Sequence, residues 1–238
     1  MKIALIGYGK MGIAIEKIAV EKGHEIVLKI TAENIQDCTI ANLQLCDVAI
    51  EFTNPESALQ NMRKCIDAGV PVVCGSTGWV KEEEDIKKYC EEKNGTLLFS
   101  SNFSIGVNIF FAINKKLAAL MNAQKSYDVN IVETHHTAKL DAPSGTAITI
   151  AQQIIQNFTA KQHWVLGNTE KSNELNIESK RIDPAPGKHT VTYSSAIDDI
   201  EITHTAHSRA GFAAGALAAA VFLKSKKGVF SMSDVLGM

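Results

Sequence analysis

A glycine-patterned turn, Gly7-Tyr8-Gly9-Lys10-Met11-Gly12, follows the apolar run 3–6 and opens a segment, 11–21, with helical periodicity. In such a turn the first glycine permits the tight reversal. The second lets the backbone approach a pyrophosphate, and the third lets helix and strand pack closely. The unpaired N–H groups at the helix start add partial positive charge. Alone, the six-residue pattern is weak. Between a strand and a helix it becomes a dinucleotide fingerprint, and it commits this end of the chain to an α/β sheet.

The first hundred residues sustain that reading. Strand-like runs at 25–30, 47–52, 70–74 and 97–100 alternate with helical stretches at 55–68 and 81–93. This alternation predicts a parallel sheet with helices on both faces. Ligands in such sheets bind at the carboxyl ends of strands. Phe52-Thr53, Gly75-Ser76-Thr77-Gly78 and Ser100-Ser101-Asn102-Phe103 all fall there. Their small residues suit a nicotinamide ring, and their Asn and Thr side chains suit its amide.

The second strand runs into Thr31-Ala32-Glu33 with no carboxylate at its tip, where an NAD enzyme usually holds the ribose. Glu33 is the nearest acid, and Lys29 or Thr31 could take a 2′-phosphate. The reading leaves NADH and NADPH open and leans toward NADPH or use of both.

After residue 102 the pattern changes. A helix is expected at 107–121, a strand at 128–133 and a helix at 147–158. The polar stretch 159–188, with Pro184, Pro186 and Gly187, is expected to carry a loop. Two strands at 190–195 and 199–205 then read as antiparallel. The fold class is therefore α/β, an N-terminal Rossmann-type parallel sheet plus a second α+β domain. The predicted division is 1–103 with 212–238, and 104–211.

The segment Glu133-Thr134-His135-His136-Thr137-Ala138-Lys139-Leu140-Asp141-Ala142-Pro143-Ser144-Gly145-Thr146-Ala147 carries the chemistry. It places two imidazoles and an ammonium just before a Pro-Ser-Gly-Thr turn that reads as a helix start. The side chains can donate protons or hold anions, and the helix start attracts negative charge. Together they suit a small substrate that carries carboxylates and needs a proton. Two adjacent histidines alone would more often mark a surface loop.

The remaining composition narrows the class. A formal net charge of -2 over 238 residues gives no reason to expect nucleic acid or an anionic membrane as partner. The apolar run 210–223 is too short to span a bilayer, and its small residues suit a closely packed buried helix. Five cysteines without a C-x-x-C pair suggest neither disulfides nor a metal site, and a cytoplasmic location is expected.

These motifs together resemble the 4-hydroxy-tetrahydrodipicolinate reductase family, formerly called dihydrodipicolinate reductase. The match runs through the glycine turn, Glu51-Phe52-Thr53, the 75–78 turn, residues 102–108 and 133–147, Gly187-Lys188-His189-Thr190 and residues 201–209. The resemblance implies NADPH- or NADH-dependent reduction of a cyclic imine with two carboxylates, following loss of water. Hydride would go to one ring carbon and a proton to its neighbour. It implies a substrate domain that also builds a homotetramer.

Carried over by position, the resemblance makes His135 a proton donor or acceptor and Lys139 a proton donor. It makes His136, Gly145 and Thr146 substrate contacts, and the glycine turn, Gly75, Ser76, Thr77 and residues 100–103 cofactor contacts. The residue reading adds Ser144 on the substrate side and Thr31, which stands where the family has its ribose-binding acid, on the cofactor side. An ammonium near a dianion stays protonated, so Lys139 suits the acid role, while His135 suits either direction. One carboxylate is expected on the N–H groups of Ser144, Gly145 and Thr146, with Pro143 in the first helical turn. His136 would take the other carboxylate or the ring nitrogen. Asp141 either orients Lys139 or caps the helix. His204 and Arg209 form a second basic cluster, and residues 104–106 and 210–211 are the expected hinges. A dehydrogenase of another substrate class and a nucleotide-sensing relative without catalysis are the competing readings.

Overall fold

The computed structural model describes residues 1–208 and 210–238. They form two compact units, Met1–Ile105 with Ala210–Met238, and Gly106–Arg209.

In the first unit the chain runs β1 (Lys2–Ile6), α1 (Lys10–Glu21), β2 (Glu25–Ile30), α2 (Ile40–Leu43) and β3 (Val48–Glu51). It continues through α3 (Pro55–Asp67), β4 (Val72–Cys74), α4 (Glu83–Glu92) and β5 (Thr96–Phe99). The second unit holds α5 (Ile105–Met121), β6 (Asp128–His135), α6 (Gly145–Asn157), β7 (His163–Leu166), β8 (Glu174–Arg181), β9 (Gly187–Ser194) and β10 (Asp199–Ala206). The chain then returns to the first unit with α7 (Ala210–Leu223), β11 (Gly228–Phe230) and α8 (Met232–Leu236).

The first unit is a six-stranded sheet ordered β11-β5-β4-β3-β1-β2, and every pairing is parallel. Helices cover both faces, so central strands lose polar alternation: Ile3, Ala4, Leu5 and Ile6 are all buried. One face packs Ala58, Met62, Cys65, Ile86 and Cys90 of α3 and α4. The other packs Ile15 and Ala19 of α1 against Ala213, Ala216, Leu217 and Ala220 of α7. The small residues of α7 serve close approach, since a side chain at Gly215 would overlap the Phe103 carbonyl. The chain reverses direction across the sheet between β1 and β3, which makes the carboxyl ends of those strands the switch point.

The second unit is a five-stranded mixed sheet ordered β10-β9-β6-β8-β7. β6 is antiparallel to β9 and parallel to β8. Val129, Ile131, Leu175, Ile177, Val191 and Tyr193 face α5 and α6 across a closed core. No element of this unit covers the opposite face, where Glu201, Thr203 and Thr205 are exposed and Asn130, Val132, Thr190 and Thr192 are half-buried.

Two expectations are corrected here. The stretch 159–188 does carry loops, at 167–173 and 182–186, but it also holds two unexpected strands, β7 and β8. The inward positions of β8 begin apolar at Leu175 and Ile177 and then continue with Ser179 and Arg181, so the period-two signal fades midway. The helix expected from Ala147 starts at Gly145, capped by the Ser144 side chain on the Ala147 N–H at 3.1 Å. Pro143 therefore precedes the helix instead of sitting in its first turn, and the Ala142–Pro143 peptide is cis. No helix among the described residues is long and apolar enough to cross a membrane.

Candidate functional site

In the first unit the glycine turn behaves as its spacing demands. Gly7 has φ +93°, and a side chain there would overlap the Phe52 carbonyl. A Cβ at Gly12 would strike the Gly7 carbonyl oxygen, whereas one at Gly9 would enter open space. The second glycine thus keeps clear the volume that a pyrophosphate needs, and the first turn of α1 carries no acidic residue.

Three hollows form a track along the strand ends. The first, about 570 Å³, is lined by Gly7, Tyr8, Gly9, Thr31, Glu33 and Thr53 among others. The second, about 480 Å³, shares Gly9 and Thr53 and adds Lys10, Met11, Gly75, Ser76 and Thr77. The third, about 330 Å³, shares Ser76 and Thr77 and adds Trp79, Ser100 and Ser101. Asn102 and Phe103 line none of the three. Phe103 is a core residue, 5.7 Å from the Phe52 ring, and the Asn102 side chain accepts from the Ser104 N–H at 2.9 Å.

Gly7 to Met11 of the glycine turn, Thr31, Gly75, Ser76, Thr77, Ser100 and Ser101 thus share one surface, which suits the length of a dinucleotide, while Gly12 is buried and lines none of the hollows. A residue the sequence reading passed over supports its middle. Glu51 is fully buried at the end of β3 and accepts from the Thr53 N–H at 3.0 Å, from the Thr53 hydroxyl and from the Cys74 thiol at 3.0 Å. The buried carboxyl group holds the Thr53 loop against β4.

At the β2 end, Thr31 Oγ1 donates to Glu33 at 2.6 Å, and this bond holds the Glu33 carboxyl below the usual range. Lys29 is engaged in an ion pair. Its ammonium pairs with Glu16 at 2.6 Å and lies 4.9 Å from the centre of the Tyr8 ring, whose hydroxyl also bonds Glu16. The residues lining the first hollow include one acid, Glu33, and no Lys or Arg.

In the second unit the fifteen-residue segment folds as the end of β6, an exposed loop and the start of α6. Lys139 Nζ bonds both oxygens of the exposed Asp141 carboxylate, at 2.7 and 2.8 Å. That bond holds the Asp141 carboxyl below its ordinary value. Asp141 therefore orients Lys139, and the cap of α6 is Ser144. Thr137 donates to Asp183 from its N–H at 3.1 Å and from its hydroxyl at 2.5 Å, which fixes the loop beside the half-buried His136.

One expected anion donor is already occupied. The Ser144 N–H points at Glu133, 3.1 Å from each carboxylate oxygen. Gly145 and Thr146, at the first two helical positions, keep N–H groups that have no intrahelical acceptor.

Glu133 and His135 are buried at 0% and 8% exposure. Burial raises the Glu133 carboxyl, but hydrogen bonds from Ser144 and Ser179 and the field of His135 outweigh it and hold the group ionised. Burial, reinforced by Lys139 and Arg181, pushes His135 below its ordinary value against the pull of Glu133. Arg181 also fastens the loop, donating to the Asp141 carbonyl at 2.6 Å and the Lys139 carbonyl at 3.3 Å. Ser179 did not stand out in the sequence, and nothing there linked Arg181 to Glu133, because only the pairing of β8 with β6 brings them together.

Glu133, His135 and His189 each offer a ligand atom within 4.8 Å, a spacing that a divalent ion can bridge. Arg181 Nη2, 3.2 Å from Glu133, already supplies positive charge there and opposes a second cation. His204 sits on β10 with its ring 6.2 Å from that of Phe110. Arg209, expected to join it, lies outside the described residues.

Comparison with known proteins gives the family. Residues 1–103 match the family model described as dihydrodipicolinate reductase, N-terminus, and residues 106–236 match its C-terminus. A Christiangramia forsetii protein named 4-hydroxy-tetrahydrodipicolinate reductase is 46% identical over 99% of this chain and 98% of its own length. The Neisseria gonorrhoeae protein of that name is 36% identical over 94% of this chain and 84% of its own. Among solved structures, a dipicolinate-bound dihydrodipicolinate reductase from Paenisporosarcina sp. TG-14 shares the fold. Its TM-score is 0.78 at 22% identity, with 97% of each chain covered. An amine dehydrogenase from Mycobacterium smegmatis shares it more loosely, with a TM-score of 0.61 at 10% identity over 98% of this chain and 95% of that one. With both family models matched end to end and a relative this similar over its full length, the chain belongs to the dihydrodipicolinate reductase family.

Proposed function

We propose that this chain reduces 4-hydroxy-tetrahydrodipicolinate to tetrahydrodipicolinate in lysine and diaminopimelate synthesis, with NADH as the preferred nucleotide. The observation that carries the reading is the second unit's cluster: His135, Lys139 and the open start of α6 in one short segment of a family member. Dipicolinate, the ligand named for the Paenisporosarcina protein, is a ring with two carboxylates, the class of anion that this cluster suits.

The bound nucleotide supplies the hydride. The glycine turn and the start of α1 hold its pyrophosphate, and Thr31 and Glu33 hold the adenosine ribose. Gly75, Ser76, Thr77, Ser100 and Ser101, with the segment of Asn102 and Phe103, border the nicotinamide. The preference for NADH rests on charge, because a 2′-phosphate in the first hollow would meet the Glu33 carboxylate and no cation among the lining residues. This departs from the inclination toward NADPH that the sequence alone suggests.

On the substrate side, one carboxylate sits on the N–H groups of Gly145 and Thr146 and displaces the exposed Asp141 from Lys139. His136 takes the second carboxylate. Lys139 delivers the proton to the ring carbon beside the one reduced, and His135 exchanges protons with the ring. A positioned acid of this kind accelerates the step by about 10²–10⁴-fold. The uncovered sheet face of the second unit is the surface through which a homotetramer would assemble. Five free, buried cysteines suit a reducing cytoplasm.

The test is loss of the reduced nicotinamide absorbance when the purified protein meets substrate made in situ from pyruvate and aspartate semialdehyde. Turnover that requires both carbon precursors supports the reading. Oxidation of NADH at the same rate without them, or none at all, rejects it.

A further inference from the structure

Glu133 and His189 have no part in the proton chemistry above, yet they are the most enclosed polar residues around His135. Oε1 of Glu133 accepts from Ser179 Oγ at 2.7 Å and from Arg181 Nη2 at 3.2 Å. Oε2 faces His135 Nδ1 at 3.5 Å and His189 Nε2 at 3.7 Å. The strand register produces this arrangement: His189 on β9 and Ser179 on β8 flank Glu133 directly, and Arg181 flanks His135 one inward step on. The inward face of the sheet is apolar through Val129, Ile131 and Val191 and becomes ionic only at this end.

A buried carboxylate is tolerated only when its lone pairs are engaged. The cation and hydroxyl on Oε1 satisfy one side and help keep the group ionised, while Oε2, which accepts from the Ser144 N–H at 3.1 Å, also faces the two rings. His135 Nδ1 is buried and has no hydrogen-bond partner among the described residues. Glu133 Oε2 is the acceptor that faces it. The absence of a side chain at Gly187 makes room for the ring, since a Cβ there would come within 3.2 Å of Nε2. The other charged groups around the ring are Lys139 and Asp141 from the loop and Arg181 from β8, with the His189 ring 5.2 Å away on β9. His189 in turn meets Ser144 Oγ, the cap of α6, at 3.1 Å.

We propose that Glu133 is a positioning residue that fixes His135 as the Nδ1–H tautomer, leaving Nε2 to exchange the proton with the substrate ring. His189 is its companion, holding Ser144 and with it the start of α6 at a set height above that ring. The gap between Glu133 and Nδ1 shortens to a hydrogen bond when the substrate's charge arrives, as catalytic hydrogen bonds commonly do on ligand binding. A carboxylate behind an imidazole sets its tautomer, orientation and basicity. The proposal rests on His135 as the proton carrier of the proposed function.

Nuclear magnetic resonance of protein labelled at the histidine nitrogens reads the tautomer directly, with His135→Gln identifying the signal. The expected result is neutral His135 protonated on Nδ1 in the parent protein, and loss of that bias in Glu133→Gln. In the same variant kcat should fall by about 10–100-fold, the scale typical of such supporting groups, with the KM for the nucleotide unchanged. Loss of the carboxylate removes a group that raises the His135 pKa, so the acid limb of the pH–rate profile, where His135 must be neutral to accept at Nε2, should move to lower pH. A parent His135 protonated on Nε2 overturns the proposal, as does a Glu133→Gln variant with the parent rate and profile. The parent spectrum stands on its own if that variant does not fold. A protein without reductase activity would reject the proposed function, while the tautomer would still decide this proposal separately.

Discussion

At the scale of single residues, charge placement underlies both the proposed nucleotide preference and the expected acid sensitivity. Glu33 borders the first hollow alone among acids, so Glu33→Ala should lower kcat/KM for NADH by about tenfold, the loss of roughly 1.4 kcal/mol of binding. The same change should raise kcat/KM for NADPH, and side-by-side kinetics with the two nucleotides measure it. His189 makes a second prediction. Burial, with His135 beside it, pushes its pKa down to about 4. In the unfolded chain the imidazole protonates near its ordinary value, while in the fold it stays neutral, so between those two values the unfolded state binds more protons. Stability present above the ordinary value is therefore lost as pH falls toward about 4. The full effect is on the order of 3 kcal/mol. Urea midpoints measured across that window should decline with falling pH in the parent and decline less steeply in His189→Gln.

At the scale of elements, the start of α6 joins helix capping to the site. Ser144→Ala removes the acceptor for the Ala147 N–H and the partner of His189 Nε2. It should destabilise the protein by about 1–2 kcal/mol in urea denaturation. It should also raise the KM for the dicarboxylate more than that for the nucleotide. The elements were legible in the sequence wherever one physical signal dominated. Apolar runs marked β1 to β5, and the glycine turn marked the β1–α1 junction. β8 was hidden because its inward face turns polar at Ser179 and Arg181, where it meets Glu133. The histidine–lysine segment was legible because its groups are neighbours in sequence. Its supports were not, since Ser179, Arg181 and His189 reach Glu133 only through strand pairing that local periodicity does not encode. The pairing of Lys29 was hidden for a similar reason: its partner Glu16 lies on α1, and nothing in β2 announces it.

At the scale of the molecule, the two units divide the work by architecture. The first offers a switch point and a track of hollows along its strand ends, and the second offers His135, His136 and Lys139 in one segment with the start of α6. The second unit's sheet leaves one face uncovered by its own helices, with Val132 and Thr192 half-buried beside exposed Thr203. Assembly through that face predicts a homotetramer in sedimentation. Thr203→Arg should then shift the protein to smaller species at working concentration, and an unchanged sedimentation profile would count against assembly there.

The central claim is that Lys139 gives the proton to a dicarboxylate ring whose reduction the first unit's nucleotide drives. Turnover and NADH binding should be measured side by side in the parent and in Lys139→Ala. The account predicts a rate lower by about 10²–10⁴-fold in the variant, with an unchanged Kd for NADH. A variant that turns over at the parent rate would contradict it.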